Sequence, residues 1–373
     1  MLSLLLMLST SHANPPEHAT STSSTDHDTV RTLATEVRDL DAQIINGQRV
    51  NTDWFPAAGG LIFDGTVTTG GLLGSPTTTP MRQFSCSSTL IAPDVVLTAA
   101  HCVDEFVFSQ GGSWEDPAFY WSRKADLSDV VSPFSALPDD AIRGSHWATP
   151  PEWDANNMAD LSLGGAKYDI ALLFLDEPVD DVTPALLTTA EQSANLASGD
   201  AVEIVGWGLT EPVGLLDSMS APEPDTFGKK MWGASVLGEV GDYEIQVGDS
   251  EDDTRKCKGD SGGPTFMDLN DGSARPYRLI GVTSRSADFT QCQEKGGFDT
   301  RVDAYLDWIE EAMVTACEDG LRTACDEPGI PSYDPSEDED QGRGTCSHLP
   351  GRSAAWMLFA ASVGLAARRR RAQ

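Results

Sequence analysis

Positive charge is scarce in this sequence. Of 373 residues, 25 are Lys or Arg against 58 Asp or Glu, a formal charge of −33. So acidic a body lacks the electrostatic footprint that DNA or RNA binding needs, which excludes nucleic acid as a partner. Histidine is scarce as well: there are six, and His12, His18, His27 and His348 fall in end segments. No Cys-x-x-Cys pair and no Cys/His cluster has metal-ligand spacing, so no metal and no cofactor is expected. Long apolar runs are missing too. The uncharged stretch 353–367 would rise roughly 22 Å as a helix, short of the ~30 Å hydrocarbon core.

What is present supports a folded β protein. Hydrophobic residues make up 40% and aromatics 8%, enough for a real core. The 34 Gly and 22 Pro favour a loop-rich, all-β chain over a helix bundle. Strand-like stretches at 88–91, 95–98, 170–175, 201–205 and 278–283 are separated by Gly, Pro, Asp and Asn clusters, the pattern of a sandwich or barrel. Helical spacing shows only over 302–314, where Val302, Leu306, Ile309 and Met313 fall on one face.

The two ends differ from the body. Residues 1–13 are apolar and finish Ser11-His12-Ala13, which reads as a short signal peptide with a small-residue cleavage site. Residues 14–43, rich in Ser, Thr and acids, read as a pro-segment. Residues 317–345 carry nine acids and two Arg and read as an acidic linker, whose run Glu337-Asp338-Glu339-Asp340 is a solvated spacer rather than an adhesive surface. The segment 346–373 places Cys346 before an apolar stretch and the cluster Arg368, Arg369, Arg370, Arg371. That order resembles the C-terminal sorting tails of bacterial surface proteins, most closely the MYXO-CTERM type of myxobacteria. The resemblance implies an exported protein, secreted or attached to the outer cell surface, handled by export and surface-sorting machinery.

Three segments of the body carry chemistry. In Val95-Val96-Leu97-Thr98-Ala99-Ala100-His101-Cys102, an apolar strand runs into small residues and then an imidazole. A buried strand end fixes such a ring for general-base work. His146, among Gly144, Ser145 and Trp147, reads as an exposed loop residue. In Asp169-Ile170-Ala171-Leu172 a single carboxylate opens an apolar run, and burial there demands a hydrogen-bond partner such as an imidazole N–H. In Cys257-Lys258-Gly259-Asp260-Ser261-Gly262-Gly263-Pro264, glycines surround one Ser. They permit a sharp turn that exposes a nucleophile and aims the N–H groups of Gly259 and Ser261 at a developing oxyanion.

Together with Ile44-Ile45-Asn46-Gly47 and Gly206-Trp207-Gly208, these segments resemble the trypsin/chymotrypsin family of serine endopeptidases (peptidase family S1) over 44–316. The resemblance implies two six-stranded antiparallel β-barrels with a C-terminal helix. It implies Ser261 as nucleophile, His101 as base and acid, and Asp169 as the group that orients the ring, in the family's chain order. It implies an oxyanion hole at Gly259 and Ser261, and activation by a cut before Ile44, whose ammonium then pairs with Asp260. It also implies a specificity pocket at Arg255, Ser284, Ser286, Gly297 and Asp299, with Ser284 hydrogen-bonded to Asp169. Of the fifteen ways to pair six Cys, the motifs favour Cys86–Cys102 and Cys257–Cys292, which leaves Cys317–Cys325.

Two departures stand out. Gln43, not Arg or Lys, precedes Ile44, so a separate activating protease is expected. Arg255 stands where trypsin-like members carry an Asp, so cleavage after Lys or Arg is not expected. Two readings stay open: Arg255 recruits an acidic side chain, or Asp299 neutralises it and leaves a small or polar pocket. The segment Gly259-Asp260-Ser261-Gly262-Gly263 also satisfies the α/β-hydrolase elbow, but that fold needs a His after its Ser and acid, and only His348 follows. The alternative is a non-catalytic binding module on a protease fold. The stretch between His101 and Asp169, which are 68 positions apart, holds Trp114, Trp121, Trp147 and Trp153 and reads as surface decoration, and 268–272 reads as a hairpin turn. Protein or peptide substrates and a monomer are expected.

Overall fold

The computed structural model describes residues 44–69, 75–109, 112–211, 226–287 and 296–331. The leader and pro-segment, Cys292, residues 332–345 and the C-terminal segment with Cys346 lie outside the described residues.

Six strands close the first barrel in the order β2-β3-β4-β7-β6-β5. They are β2 (Ala58–Thr69), β3 (Thr77–Ala92), β4 (Val95–Thr98), β5 (Ser113–Ser122), β6 (Ile142–Ala148) and β7 (Ala171–Leu175). Both β4 and β7 are buried at every position, which is why their sequences read as continuous apolar runs. Their antiparallel register pairs Val95 with Phe174 and Thr98 with Ala171. The chain just past Thr98 therefore meets the chain just before Ala171, which is where His101 and Asp169 stand.

The second barrel comprises β8 (Ala201–Gly206), β9 (Met231–Val240), β10 (Glu244–Val247), β11 (Pro264–Asp268), β12 (Tyr277–Ser286) and β13 (Gly297–Arg301). Pairing of β8 with β9 closes it, and the short β1 (Gln48–Arg49) adds to β9. Pro264 pairs with Val282 across β11 and β12, so Ser261 and Ser284 emerge at one end of this barrel. The 268–272 segment is the hairpin between these strands, with Asn270 and Gly272 at positive φ.

The tryptophans between His101 and Asp169 are structural, which corrects their reading as surface decoration. Trp121, in β5, is 1% exposed. Gly59 makes room for it: a Cβ there would lie 2.1 Å from the indole Nε1. Trp114 and Trp147 pack edge-to-face at 5.9 Å beside Phe119. His146 is exposed as expected, but it lies on β6, not in a loop.

The C-terminal helix, α1 (Leu306–Glu318), buries Ile309, Met313 and Ala316 in the main core cluster. Residues 319–331 are mostly exposed but are tied back to the first barrel by one buried residue, Arg322. Arg322 and Asp94 form an ion pair at 2.7 Å in which neither side chain is exposed. Asp94 also accepts from the N–H groups of Thr323 and Ala324, each at 2.8 Å. The bond Cys317–Cys325 closes this loop. A buried carboxylate needs this many donors, and none of them was visible in the composition of an acidic stretch.

Candidate active site

Asp169 is fully buried between the barrels and accepts four hydrogen bonds on its side chain and backbone. Its Oδ1 takes the backbone N–H of His101 at 2.9 Å, and Oδ2 faces His101 Nδ1 at 2.8 Å. Ser284 Oγ donates to Oδ2 at 2.6 Å, and Thr300 Oγ1 donates to the Asp169 carbonyl at 2.9 Å. Burial pushes the carboxyl upward, but the His101 imidazole and these side-chain and backbone donors outweigh it and hold Asp169 below the ordinary aspartate value. With its proton on Nδ1, the imidazole leaves a lone pair at Nε2.

His101 sits in a single 3₁₀ turn, Ala100–Val103, at the end of β4. The disulfide Cys86–Cys102 ties that turn to β3, and Cys102 Sγ lies 3.7 Å from His101 Nε2. Cys86, His101 and Cys102 bring three donor types within 4.8 Å. Both sulfurs are bound to each other, so this cluster has no thiolate to offer a metal.

The Ser261 loop is shaped by close approach. Gly259 and Gly262 have φ of +93° and +76°. A Cβ on Gly262 would lie 2.1 Å from Thr98 Oγ1, and one on Gly259 would lie 2.6 Å from Phe227 and 2.9 Å from the Gly208 Cα. Only glycine fits either place. Ser87 anchors the loop twice: its N–H donates to the Ser261 carbonyl at 2.8 Å and its Oγ to the Gly259 carbonyl at 2.9 Å. Among the described residues, the N–H groups of Gly259 and Ser261 donate to nothing. Nor does Ser261 Oγ make a hydrogen bond with His101 Nε2 in the uncut chain.

Asp260 is buried behind this loop. Its two oxygens accept from the N–H groups of Gly208 and Cys257, each at 2.8 Å. Burial raises its carboxyl to about 6. Gly206 and Gly208 exist to admit it, since a Cβ on either would lie 2.0 or 2.6 Å from its side chain. Ile44 is fully buried at φ +50°, a strained conformation for a β-branched residue, and Ile45 bridges to Arg255. Among the described residues no cation forms an ion pair with Asp260.

The expected specificity residues separate. Asp299 does not neutralise Arg255. Its Oδ2 accepts instead from Lys256 Nζ at 2.7 Å and Thr265 Oγ1 at 2.6 Å. Burial drags the Lys256 ammonium below its ordinary value against the pull of Asp299. Successive residues of an extended segment face opposite ways, and here Lys256 rather than Arg255 turns toward β13. Gly297 and Ser286 pair across β12 and β13. Lys256, Thr265, Thr300 and Ser87 went unnoticed in the sequence; only the adjacency of two cations at 255–256 hinted at the first. Cys257 is disulfide-bonded, while Cys292 lies outside the described residues.

Two antiparallel barrels that meet at an imidazole–carboxylate pair and a glycine-flanked serine define a chymotrypsin-like serine-protease domain. The trypsin family model matches residues 44–309, and the chain belongs to that family. Melanization protease 1 of Drosophila melanogaster is 32% identical over 253 residues, covering 62% of this chain and 58% of that protein. Chymotrypsin-like elastase family member 1 of Canis lupus familiaris is 28% identical over 247 residues, 62% of this chain and 82% of its own length. Phenoloxidase-activating factor 3 of Holotrichia diomphalia is 29% identical over 252 residues, 64% of this chain and 67% of that protein. Among solved structures, mouse neuropsin, a serine protease, is 20% identical, with 72% of this chain and 99% of neuropsin covered at a TM-score of 0.49.

Proposed function

We propose that this chain is an exported serine endopeptidase that cleaves protein substrates through an acyl-enzyme at Ser261. The carrying observation is the hydrogen-bonded imidazole–carboxylate pair, His101 Nδ1 on Asp169 Oδ2 at 2.8 Å, beside two unused N–H groups at Gly259 and Ser261. Ser261 Oγ attacks the scissile carbonyl while His101 Nε2 takes its proton. The two N–H groups receive the oxyanion, an interaction worth about 3–4 kcal/mol of barrier. The protonated ring then gives its proton to the leaving amine, and Asp169 stabilises the charge it carries meanwhile. Water hydrolyses the ester by the same route in reverse.

Activation follows from the buried pair of Ile44 and Asp260. A cut after Gln43 by a separate protease abolishes φ at Ile44, and with it the strain of +50°. The new ammonium meets a carboxylate that so far has only two N–H partners. That pairing orders the 257–263 loop and brings Ser261 Oγ onto His101 Nε2. Cleavage after Lys or Arg is not expected from a domain with a cation at 255. The disulfides Cys86–Cys102 and Cys317–Cys325 suit an oxidising compartment outside the cytoplasm, in keeping with a sorting role for the tail at Cys346. A fluorophosphonate probe tests the reading. It should label Ser261 in the cut protein and fail on the Ser261→Ala variant; no labelling of the cut protein would leave a binding module as the better description.

A further inference from the structure

We propose that Arg255 receives an acidic side chain, so that the bond cleaved is the one following a Glu or Asp. The proposal rests on the catalytic reading above and adds to it the chemical class of the substrate.

Arg255 lies six residues before Ser261 on the same segment. Its stem runs against Gly248, where a Cβ would lie 3.0 Å from Arg255 Cγ, and the Gly296 Cα lies 3.5 Å from that same point. The sheet edge formed by Ser286 and Gly297 ends beside Gly296. The stem of Arg255 therefore passes backbone that carries no side chain at Gly248.

The Arg255 guanidinium is under-used. The residue is 2% exposed, yet among the described residues only one of its five N–H groups, on Nη1, finds an acceptor, the Ser250 carbonyl at 2.7 Å. Its Nε is sealed from water and has no partner. Among the described residues Nη2 makes no hydrogen bond either, and unlike Nε it is not one of the sealed, unpartnered atoms. No carboxylate lies within ion-pair distance among the described residues. Asp253, which attracts the guanidinium electrostatically, already accepts from the N–H groups of Asp249 and Ser250 and from Ser250 Oγ.

The surrounding charges compensate this cation only from beyond ion-pair distance, through Asp253. Lys256 and Asp299 cancel each other at 2.7 Å. Asp299 Oδ1 lacks a partner and is the one opposing feature, but the ammonium beside it offsets its charge. A buried, poorly bonded guanidinium is costly, and a carboxylate that takes two of its N–H groups removes that cost. An apolar side chain would leave the N–H groups orphaned, and a Lys or Arg would add a second positive charge.

The test uses the full chain cut between Gln43 and Ile44, offered otherwise identical peptides with Glu, Asp, Ala, Leu or Lys before the scissile bond, with fluorophosphonate labelling in parallel. Glu or Asp peptides should be cleaved with kcat/KM at least ~30-fold above Ala, the lower end of what truncating a buried charge pair changes. Arg255→Gln should bring the Glu-to-Ala ratio close to one. That ratio is read within a single preparation, so a partly folded variant cannot mimic the result. A labelled wild-type enzyme that prefers Ala, Leu or Lys overturns the proposal alone. A wild-type protein that neither labels nor cleaves overturns the catalytic reading, and the proposal falls with it.

Discussion

Cutting the chain before Ile44 should invert the way its stability responds to pH. In the uncut chain Asp260 is fully buried, and burial lifts its carboxyl from 3.8 to about 6. A rise of about two units corresponds to roughly 3 kcal/mol. The folded state keeps its proton up to about pH 6, whereas the unfolded state releases it near 3.8. Stability from this group is therefore greatest at the acid end, falls as pH climbs through that window, and stays low above it. In the cut chain an ammonium with an ordinary value near ~8 reaches the carboxylate and pulls it below its usual range. The contribution then appears above the unfolded value and disappears only as pH falls through the lowered one. On the alkaline side, activity declines as the pairing ammonium, itself raised, gives up its proton. Urea unfolding of the Ser261→Ala protein, cut and uncut, at pH 3 and 7.5 measures this. Relative to an Asp260→Asn version, the uncut protein should lose about 3 kcal/mol between the two pH values, and the cut protein should gain. Equal slopes for uncut protein with Asp or Asn at 260 would refute the reasoning, as would full turnover by cut Asp260→Asn.

Three more outcomes follow from single contacts. Ser284→Ala removes the 2.6 Å donor to Asp169 and should lower kcat/KM by roughly 10-fold, the value of a hydrogen bond to a charged group; Ser284→Thr should recover part, and unchanged kinetics in the Ala variant would deny Ser284 a positioning role. Lys230 is buried with its ammonium lowered to about 7 by desolvation, although it donates to the carbonyls of Thr52, Phe55 and Ala58. Its unfolded form holds the proton longer, so stability should rise between about pH 7 and 10, and Lys230→Met should flatten that rise in thermal melts. Arg322→Met strands the buried Asp94 carboxylate and should cost about 3–5 kcal/mol in urea unfolding; a loss under 1 kcal/mol would mean that residues 319–331 do not hold the barrel.

How much of this was legible in the sequence depends on how local each cause is. The turn at Ser261 could be read because its glycines lie within four residues of it, and steric demand at Gly259 and Gly262 is written into residue type. The strands β4 and β7 could be read because burial on both faces leaves an unbroken apolar run. The pairing of His101 with Asp169, 68 residues apart, became legible only through resemblance; its physical cause is the register of Thr98 against Ala171. What stayed hidden has non-local causes. Asp94 and Arg322 are 228 residues apart, and nothing in either segment names the other, so the one buried arginine of an acidic stretch could not be told from its exposed neighbours. The Trp-rich stretch failed for a different reason: the cavity that admits Trp121 is made by an absence, the missing side chain of Gly59. The partner of Asp299, which the sequence left open, shows the limit most clearly. Arg255 and Lys256 are adjacent, equally charged and both buried, and the choice between them rests on which way one peptide unit faces. Facing is set by the bridge from Arg255 to Ile45, a contact made by the stretch of chain where activation is proposed. Arg255 and the stretch where activation is proposed are therefore joined by one backbone hydrogen bond, Arg255 N–H to the Ile45 carbonyl at 3.0 Å, a contact that no local pattern in either segment encodes.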